Sequence, residues 1–295
     1  MKITRTQRWL VGGPPLIYLL IFFAIPTLIM VLASFRQPGE YGGLAPLFLE
    51  GEDGRRHLDL TLESYRLFFS DSLYAELFLK SFGYAVVTTL ACLLIAYPLA
   101  LLIARSPSKI RDLLVLLVIL PFWSNFLIRV YAWMIILGPQ SAFTLGLNAL
   151  SAWMGLGAVE LLYTPLAVVI GLVYVHLPFM VLPLYANLEK HDPSLLDAAQ
   201  DLGANAWQRF WRVTFPLSLP GVYAGAALVF IPAFGIFAIP DILGGTSGIM
   251  IGNVIKQQFL ETRDWPFGSV LSMILTAIAI AAAGLAAWFA RRSRL

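Results

Sequence analysis

Long apolar runs, broken by short polar stretches, set the pattern of this chain. A helix needs about 20 apolar residues to cover the hydrocarbon core of a bilayer. Six runs reach that length, over residues 11–34, 81–104, 113–137, 165–187, 220–240 and 267–290. They predict an all-α membrane protein with six transmembrane helices. The first run follows a basic N-terminus as a signal peptide would. It is too long for the apolar region of one, and no clean small-residue cleavage pattern follows, so a retained first span is expected.

Composition agrees. The chain is 59% hydrophobic and 13% charged, whereas soluble domains carry roughly 25% charged residues. Cys92 is the single cysteine, which excludes an internal disulfide and a cysteine-based metal cluster, and its apolar surroundings predict an inert buried thiol. His57, His176 and His191 have no ligand-like spacing, so no metal site is expected. A net charge of +3 is too small to point to nucleic acid.

The basic residues are placed asymmetrically. One set of inter-span segments holds Lys2, Arg5, Arg8, Arg105, Lys109, Arg111, Lys190, Arg209, Arg212, Arg291, Arg292 and Arg294. The opposite set, which is longer, holds only Arg36, Arg55, Arg56, Arg66, Lys256 and Arg263, and residues 138–164 hold none. Basic segments stay in the cytoplasm, so both termini are expected there, with a polar external loop over 36–75. Within that loop "EGEDGRRHLDL" reads as a turn or short strand pair in a solvated cap. Pro121, Pro178, Pro183, Pro232 and Pro240 fall in spans three to five and predict kinks.

One cytoplasmic stretch, "DPSLLDAAQDLGANAWQRFWRVTFPLSLPG" (192–221), reads as a capped helical hairpin. Asp192 is a good N-cap and Pro193 a good first helical residue. Leu195, Leu196, Ala198, Ala199 and Leu202 keep helical spacing, and Gly203 suits the left-handed residue that closes a helix. That helix spans about 15 Å. Asn205 with Gln208 predicts a capping box for a second helix, with Trp207, Phe210 and Trp211 on one face and Pro216 as its stop. By itself this describes an amphipathic helix lying on the membrane surface.

The hairpin resembles the cytoplasmic loop of ABC importer permeases, whose pattern is Glu-Ala-Ala-x3-Gly-x9-Ile-x-Leu-Pro. Asp197, Ala198, Ala199, Gly203, Val213, Phe215 and Pro216 stand at the matching positions, with Asp for Glu, Val for Ile and Phe for Leu. The resemblance implies that the first hairpin helix, including Asp201 and Leu202, couples to a separate ATPase. No lysine follows a glycine, so this chain has no phosphate-binding loop of its own. "PFWSNFLIRVYAWM" (121–134), "GLVYVHLPFMVLPLYANLEK" (171–190), "IPDILGG" (239–245) and "IGNVIKQQFLETRDWPFG" (251–268) are similar to the spermidine/putrescine permeases, chiefly the first of their two membrane subunits.

That resemblance implies the type-1 ABC transmembrane fold in a multi-pass bacterial inner-membrane protein. The expected partners are a second six-helix permease, two cytoplasmic ATPases that bind ATP and Mg, a periplasmic binding protein and membrane lipid. The organisation expected is a first span over 1–35, a periplasmic loop over 36–75, a core over 76–290 containing the coupling loop 189–219, and a cytoplasmic tail over 291–295.

For a polycation, a carboxylate and aromatic faces are the suitable chemistry, each cation–π contact contributing roughly 0.5–2 kcal/mol. Asp241 at the outer end of the fifth span is the carboxylate. Trp123, Tyr131, Tyr174 and Phe234 are the aromatic candidates, against their alternative as interfacial or packing residues, and Asn125 either bridges helices or meets an amine. Arg129, inside the third span, pairs with a carboxylate or faces a partner. Glu160, Glu261 and Asp264 meet either a binding protein or solvent. The glycine-rich "GGTSGIMIGN" (244–253) is expected as a flexible external loop. Two rivals remain: an importer of another small amine, amino acid or opine, and a rhomboid-type protease built on Gly245-Thr246-Ser247-Gly248. The protease needs a histidine on a later span to activate its serine, and none follows His191.

Overall fold

A computed structural model describes residues 5–50 and 56–292. Lys2, Arg55 and Arg294, the turn of "EGEDGRRHLDL" at 51–55 and tail residues 293–295 lie outside them. The order is α1 (Arg5–Leu19), a π turn (Leu20–Ala24), α2 (Ile25–Ala33), strands β1 (Phe48–Glu50) and β2 (Arg56–Leu58), α3 (Glu63–Ser70) and α4 (Ser72–Arg105). Next come α5 (Ser108–Ile119), a 3₁₀ turn (Leu120–Trp123), α6 (Phe126–Leu137), α7 (Ala142–Trp153), α8 (Pro165–Leu188), α9 (Ser194–Asp201) and α10 (Ala206–Arg209). After a π turn (Phe210–Thr214), α11 (Phe215–Gly235), a further π turn (Pro240–Gly244), α12 (Ile251–Leu260) and α13 (Trp265–Arg292) complete the chain.

Among the described residues, six helical stretches are long and apolar enough to cross a membrane: Gly12–Ala33, Ser72–Arg105, Phe126–Trp153, Pro165–Leu188, Ala206–Gly235 and Trp265–Phe289. β1 and β2 pair antiparallel, with Leu49 opposite His57, in the predicted external loop.

The third run departs from its expected bounds of 113–137. It is not one helix. Pro121 cannot donate a backbone hydrogen bond, α5 tightens into the 3₁₀ turn there, and Ser124 and Asn125 take extended backbone with ψ of 153° and 137°. α6 starts afresh at Phe126, and the apolar stretch continues beyond Gly138–Ser141 into α7, which Ser141 caps by accepting from Thr144 N at 3.0 Å.

The chain divides into two compact units, residues 1–75 with 254–277 and residues 76–253 with 278–295. In the first, the loop after α2 is stitched by hydrogen bonds from Gly43 N to Arg263 O (2.7 Å) and from Thr61 N to Phe35 O (2.8 Å). Ser34 shares a hydrogen bond with the Tyr65 hydroxyl at 2.9 Å, and Arg36 donates to Ala45 O.

In the second unit, α8 lies along α11 with small residues at the contact. A Cβ on Gly225 would sit 2.6 Å from Met180 Sδ, so this is the close approach by which membrane helices gain packing where lipid offers no hydrophobic driving force. One core cluster joins Ala96, Ala100, Met180, Val181, Leu184 and Val229, and includes the buried Cys92. A second joins Val130, Leu137, Val168, Leu172, Ile239 and Leu243. The Tyr97 hydroxyl and Ser218 Oγ share a buried 2.8 Å hydrogen bond between α4 and α11.

Candidate coupling elbow and transport pathway

The hairpin of residues 192–221 forms, with its Gly203 closure and Asn205–Gln208 box as expected but with Pro193, not Asp192, at the N-cap of α9. Asp192 Oδ1 accepts from Ser194 N at 2.9 Å, and that N–H holds the Asp192 carboxyl below the ordinary aspartate range. α9 is about 12 Å long from its eight residues. It ends in the arrangement where Ala204 N donates to Ala199 O (3.0 Å) and Gly203 N to Gln200 O (2.8 Å). That closure needs a left-handed residue, and Gly203 supplies it with φ +81°. The capping box is complete: Gln208 N donates to Asn205 Oδ1 (2.9 Å) and Asn205 N to Gln208 Oε1 (3.0 Å). Across the bend, Arg209 Nη1 donates to Gln200 Oε1 at 2.6 Å.

Pro216 does not stop the second helix. α10 passes through the π turn at Phe210–Thr214 into α11, with Phe215 N donating to Phe210 O. The wider turn places Pro216, which has no N–H to give, at the start of α11, where a first-turn proline is tolerated. The elbow is therefore continuous with the fifth span. Its aromatic face is present, Trp207 and Trp211 packing at 5.5 Å between ring centroids and Phe210 and Trp211 at 5.1 Å.

Asp197, Ala198, Asp201, Leu202 and Gly203 are exposed and Ala199 half-buried. Leu202 is 89% exposed, a large apolar side chain offered outward. A concavity of about 390 Å³ gathers Ala199, Leu202, Gly203, Gln208, Arg212 and Val213, bringing the two halves of the sequence motif to one surface. Behind α9, a cleft of about 480 Å³ separates it from the end of α4 at Leu101 and Arg105. His191 Nε2 lies 3.2 Å from Leu217 O at the rim, and burial pushes its pKa down against that contact. Arg111 and Glu189 form a 2.8 Å ion pair between the starts of α5 and the hairpin, which the sequence pattern did not signal.

The pathway candidates are spread over the second unit. Asp241 is exposed on the π turn after α11, a turn that packs against α6 and α8, the helices carrying Tyr131 and Tyr174. Tyr131 is half-exposed, while Tyr174 meets Trp133 edge-on at 5.5 Å. Trp123 is 76% exposed on the 3₁₀ turn. Asn125 caps α6, its Oδ1 accepting from Leu127 N at 2.8 Å. Phe234 is buried among Phe78, Phe82 and Phe230, so in this structure its ring packs against the chain's own aromatics. The Arg129 guanidinium stands over the Phe122 ring at 5.0 Å.

The glycine-rich segment at 244–253 is tied down rather than loose. Ser247 Oγ donates to Tyr163 O (2.9 Å), Lys80 Nζ to Ser247 O (2.7 Å) and Ile251 N to Ser81 Oγ (2.8 Å). The Ser247 hydroxyl thus donates to backbone carbonyls, with no imidazole among these contacts to act as its base. Asn253, which the sequence pattern does not single out, lies beside Asp241. Its amide donates to both Asp241 Oδ1 and Phe237 O, and the only signal for it was its third position in α12, a capping position.

Comparison with known families decides what this assembly of spans and elbow is. The family described as binding-protein-dependent transport system inner membrane component matches residues 73–295. This chain belongs to that family. A binding-protein-dependent inner membrane component is a multi-pass inner-membrane protein, as the six apolar stretches require. Spermidine/putrescine transport system permease protein PotB of Escherichia coli is 42% identical over 263 residues, covering 88% of this chain and 90% of that protein. PotB of Haemophilus influenzae is 43% identical over 265 residues, covering 88% and 86%. These relatives are permease proteins, not enzymes. Among solved structures, a bacterial ABC transporter that imports the acidic polysaccharide alginate superposes with TM-score 0.68 at 19% identity, covering 97% of this chain and 96% of that one. At that identity the likeness establishes the importer-permease fold for this inner membrane component.

Proposed function

We propose that this chain is one membrane subunit of an ATP-driven importer for polyamines, spermidine and putrescine, handed over by a periplasmic binding protein. The identity to PotB across 88% of the chain carries this reading. The chain pairs with a second six-helix permease, and its N- and C-termini face the cytoplasm. Two ATPase subunits bind ATP and Mg, and α9 with Leu202 seats in one of them. The lock between Gln200 and Arg209 and the continuity of the elbow with α11 support rigid transmission from α9 to the fifth span. ATP-driven closure of the ATPases then rocks the spans between inward- and outward-facing arrangements. Prolines within helices, Pro178 and Pro183 in α8 and Pro232 in α11, supply points of bending. At the outer side, Asp241 offers a carboxylate to an ammonium group.

Arg129 favours a second reading, a substrate that carries a carboxylate beside its amine, such as an amino acid or opine. Uptake of radiolabelled putrescine and spermidine into cells carrying the complete importer, with and without this chain, tests the proposal. Loss of uptake without the chain, restored by its return and competed by both polyamines, is the expected result. Uptake unchanged by the chain, or competed only by zwitterions, contradicts it.

A further inference from the structure

Two stretches that are separate in the sequence, "IPDILGG" and the start of "IGNVIKQQFLETRDWPFG", meet through one side chain. Asn253 occupies the third position of α12, and every hydrogen-bonding group of its side chain is engaged. Its Oδ1 accepts from Met250 N at 2.9 Å, which caps the helix start, while Asn253 N donates to Met250 O at 3.1 Å. Its Nδ2 donates to Phe237 O at 3.0 Å and to Asp241 Oδ1. Asp241 N in turn donates to Phe237 O at 3.0 Å. The same carbonyl therefore anchors both the backbone that carries the carboxylate and the amide that grips it.

We propose that Asn253 is a positioning residue for transport, fixing the direction of the Asp241 carboxylate toward a cationic amine through its amide N–H. An aspartate side chain on a turn has two torsions to be fixed. A donor held by a helix start on one side and a backbone carbonyl on the other restricts it to one orientation, so the ammonium meets a carboxylate already in place. This inference rests on the reading of Asp241 as a pathway residue.

The two duties of Asn253 are separable. Asn253→Asp keeps an oxygen acceptor for Met250 N, and a carboxylate suits a helix start, but it removes both N–H donors and sets a like charge against Asp241. In cells carrying the complete importer, Asn253→Asp is expected to lower labelled putrescine and spermidine uptake about tenfold while its amount in the membrane matches wild type. Asn253→Ser, whose hydroxyl retains an acceptor without the amide fork, provides a second variant with the same expected loss. In both variants the loss is expected chiefly as a raised KM for putrescine and spermidine with Vmax little changed, because the misdirected carboxylate is the group that meets the ammonium. Wild-type uptake by Asn253→Asp or Asn253→Ser, or a loss confined to Vmax, overturns the inference. Asp241→Asn with wild-type uptake instead removes Asp241 itself from the pathway, and so is told apart from failure of Asn253 alone.

Discussion

Gln200 Oε1 lies 2.6 Å from Arg209 Nη1, so the last full turn of α9 is tied to α10 across the Gly203 bend. A bend without such a tie would flex when pulled; with it, α9, the bend and α10 form one body that continues into α11. Arg209→Met is expected to lower uptake severalfold while leaving the amount of inserted protein unchanged, because an exposed hydrogen bond contributes little to stability. Uptake normalised to membrane immunoblot measures it. Unchanged uptake would show that the tie transmits nothing.

Gly203 has φ +81°, where a β-branched side chain is strained whatever the space around it. Gly203→Val is expected to cost about 1–3 kcal/mol locally and to reshape the elbow, abolishing uptake without emptying the membrane of protein. A substitution with alanine is expected to be milder. Equal transport by valine and glycine would remove the bend from the mechanism.

The elbow was the most legible part of this chain. Its ends are local chemistry: Gly203 and the Asn205–Gln208 box formed as the spacing predicts, while Asp192 accepts from Ser194 N one residue ahead of the Pro193 N-cap. Pro216 misled because a proline can open a helix as well as end one, and the π turn that makes the difference follows from where α11 must pack. The third span misled for a related reason, since an apolar run records burial in lipid and not the break that Pro121 imposes. Asn253 hinted only at a helix start, because its partner Asp241 is twelve residues away across a chain reversal that no local pattern encodes. Phe234 looked like any other aromatic candidate until its neighbours Phe78, Phe82 and Phe230 were in place.

The α8–α11 contact is expected to fail by overpacking. Gly225→Leu drives a side chain into Met180, where even a Cβ would stand 2.6 Å from the sulfur. A cost of about 1–3 kcal/mol or more follows. Lower thermal stability of the detergent-purified protein is the expected readout, and an unchanged unfolding temperature would show that the two helices separate easily.

The rim of the elbow is expected to loosen in acid. Burial lowers the His191 pKa below its ordinary 6.5, so the unfolded segment binds a proton more readily than the folded one. The resulting stability is full above pH 6.5 and is lost as pH falls through the lowered folded value. Hydrogen exchange over residues 189–200, corrected for intrinsic rates, should be faster at pH 5 than at pH 7.5, and His191→Gln should remove most of that difference. Asp192, held below the ordinary aspartate range, gives up its hydrogen bond from Ser194 N only at still lower pH. Slower exchange in acid would contradict this sign.

The most direct test of the account is a photo-crosslinking residue in place of Leu202, the apolar side chain that α9 leaves 89% exposed. In membranes carrying the whole importer, irradiation is expected to yield an adduct with the ATPase subunit that weakens or shifts when ATP is added. Adducts with lipid alone, in an importer that still transports, would contradict the coupling role on which the proposed function depends.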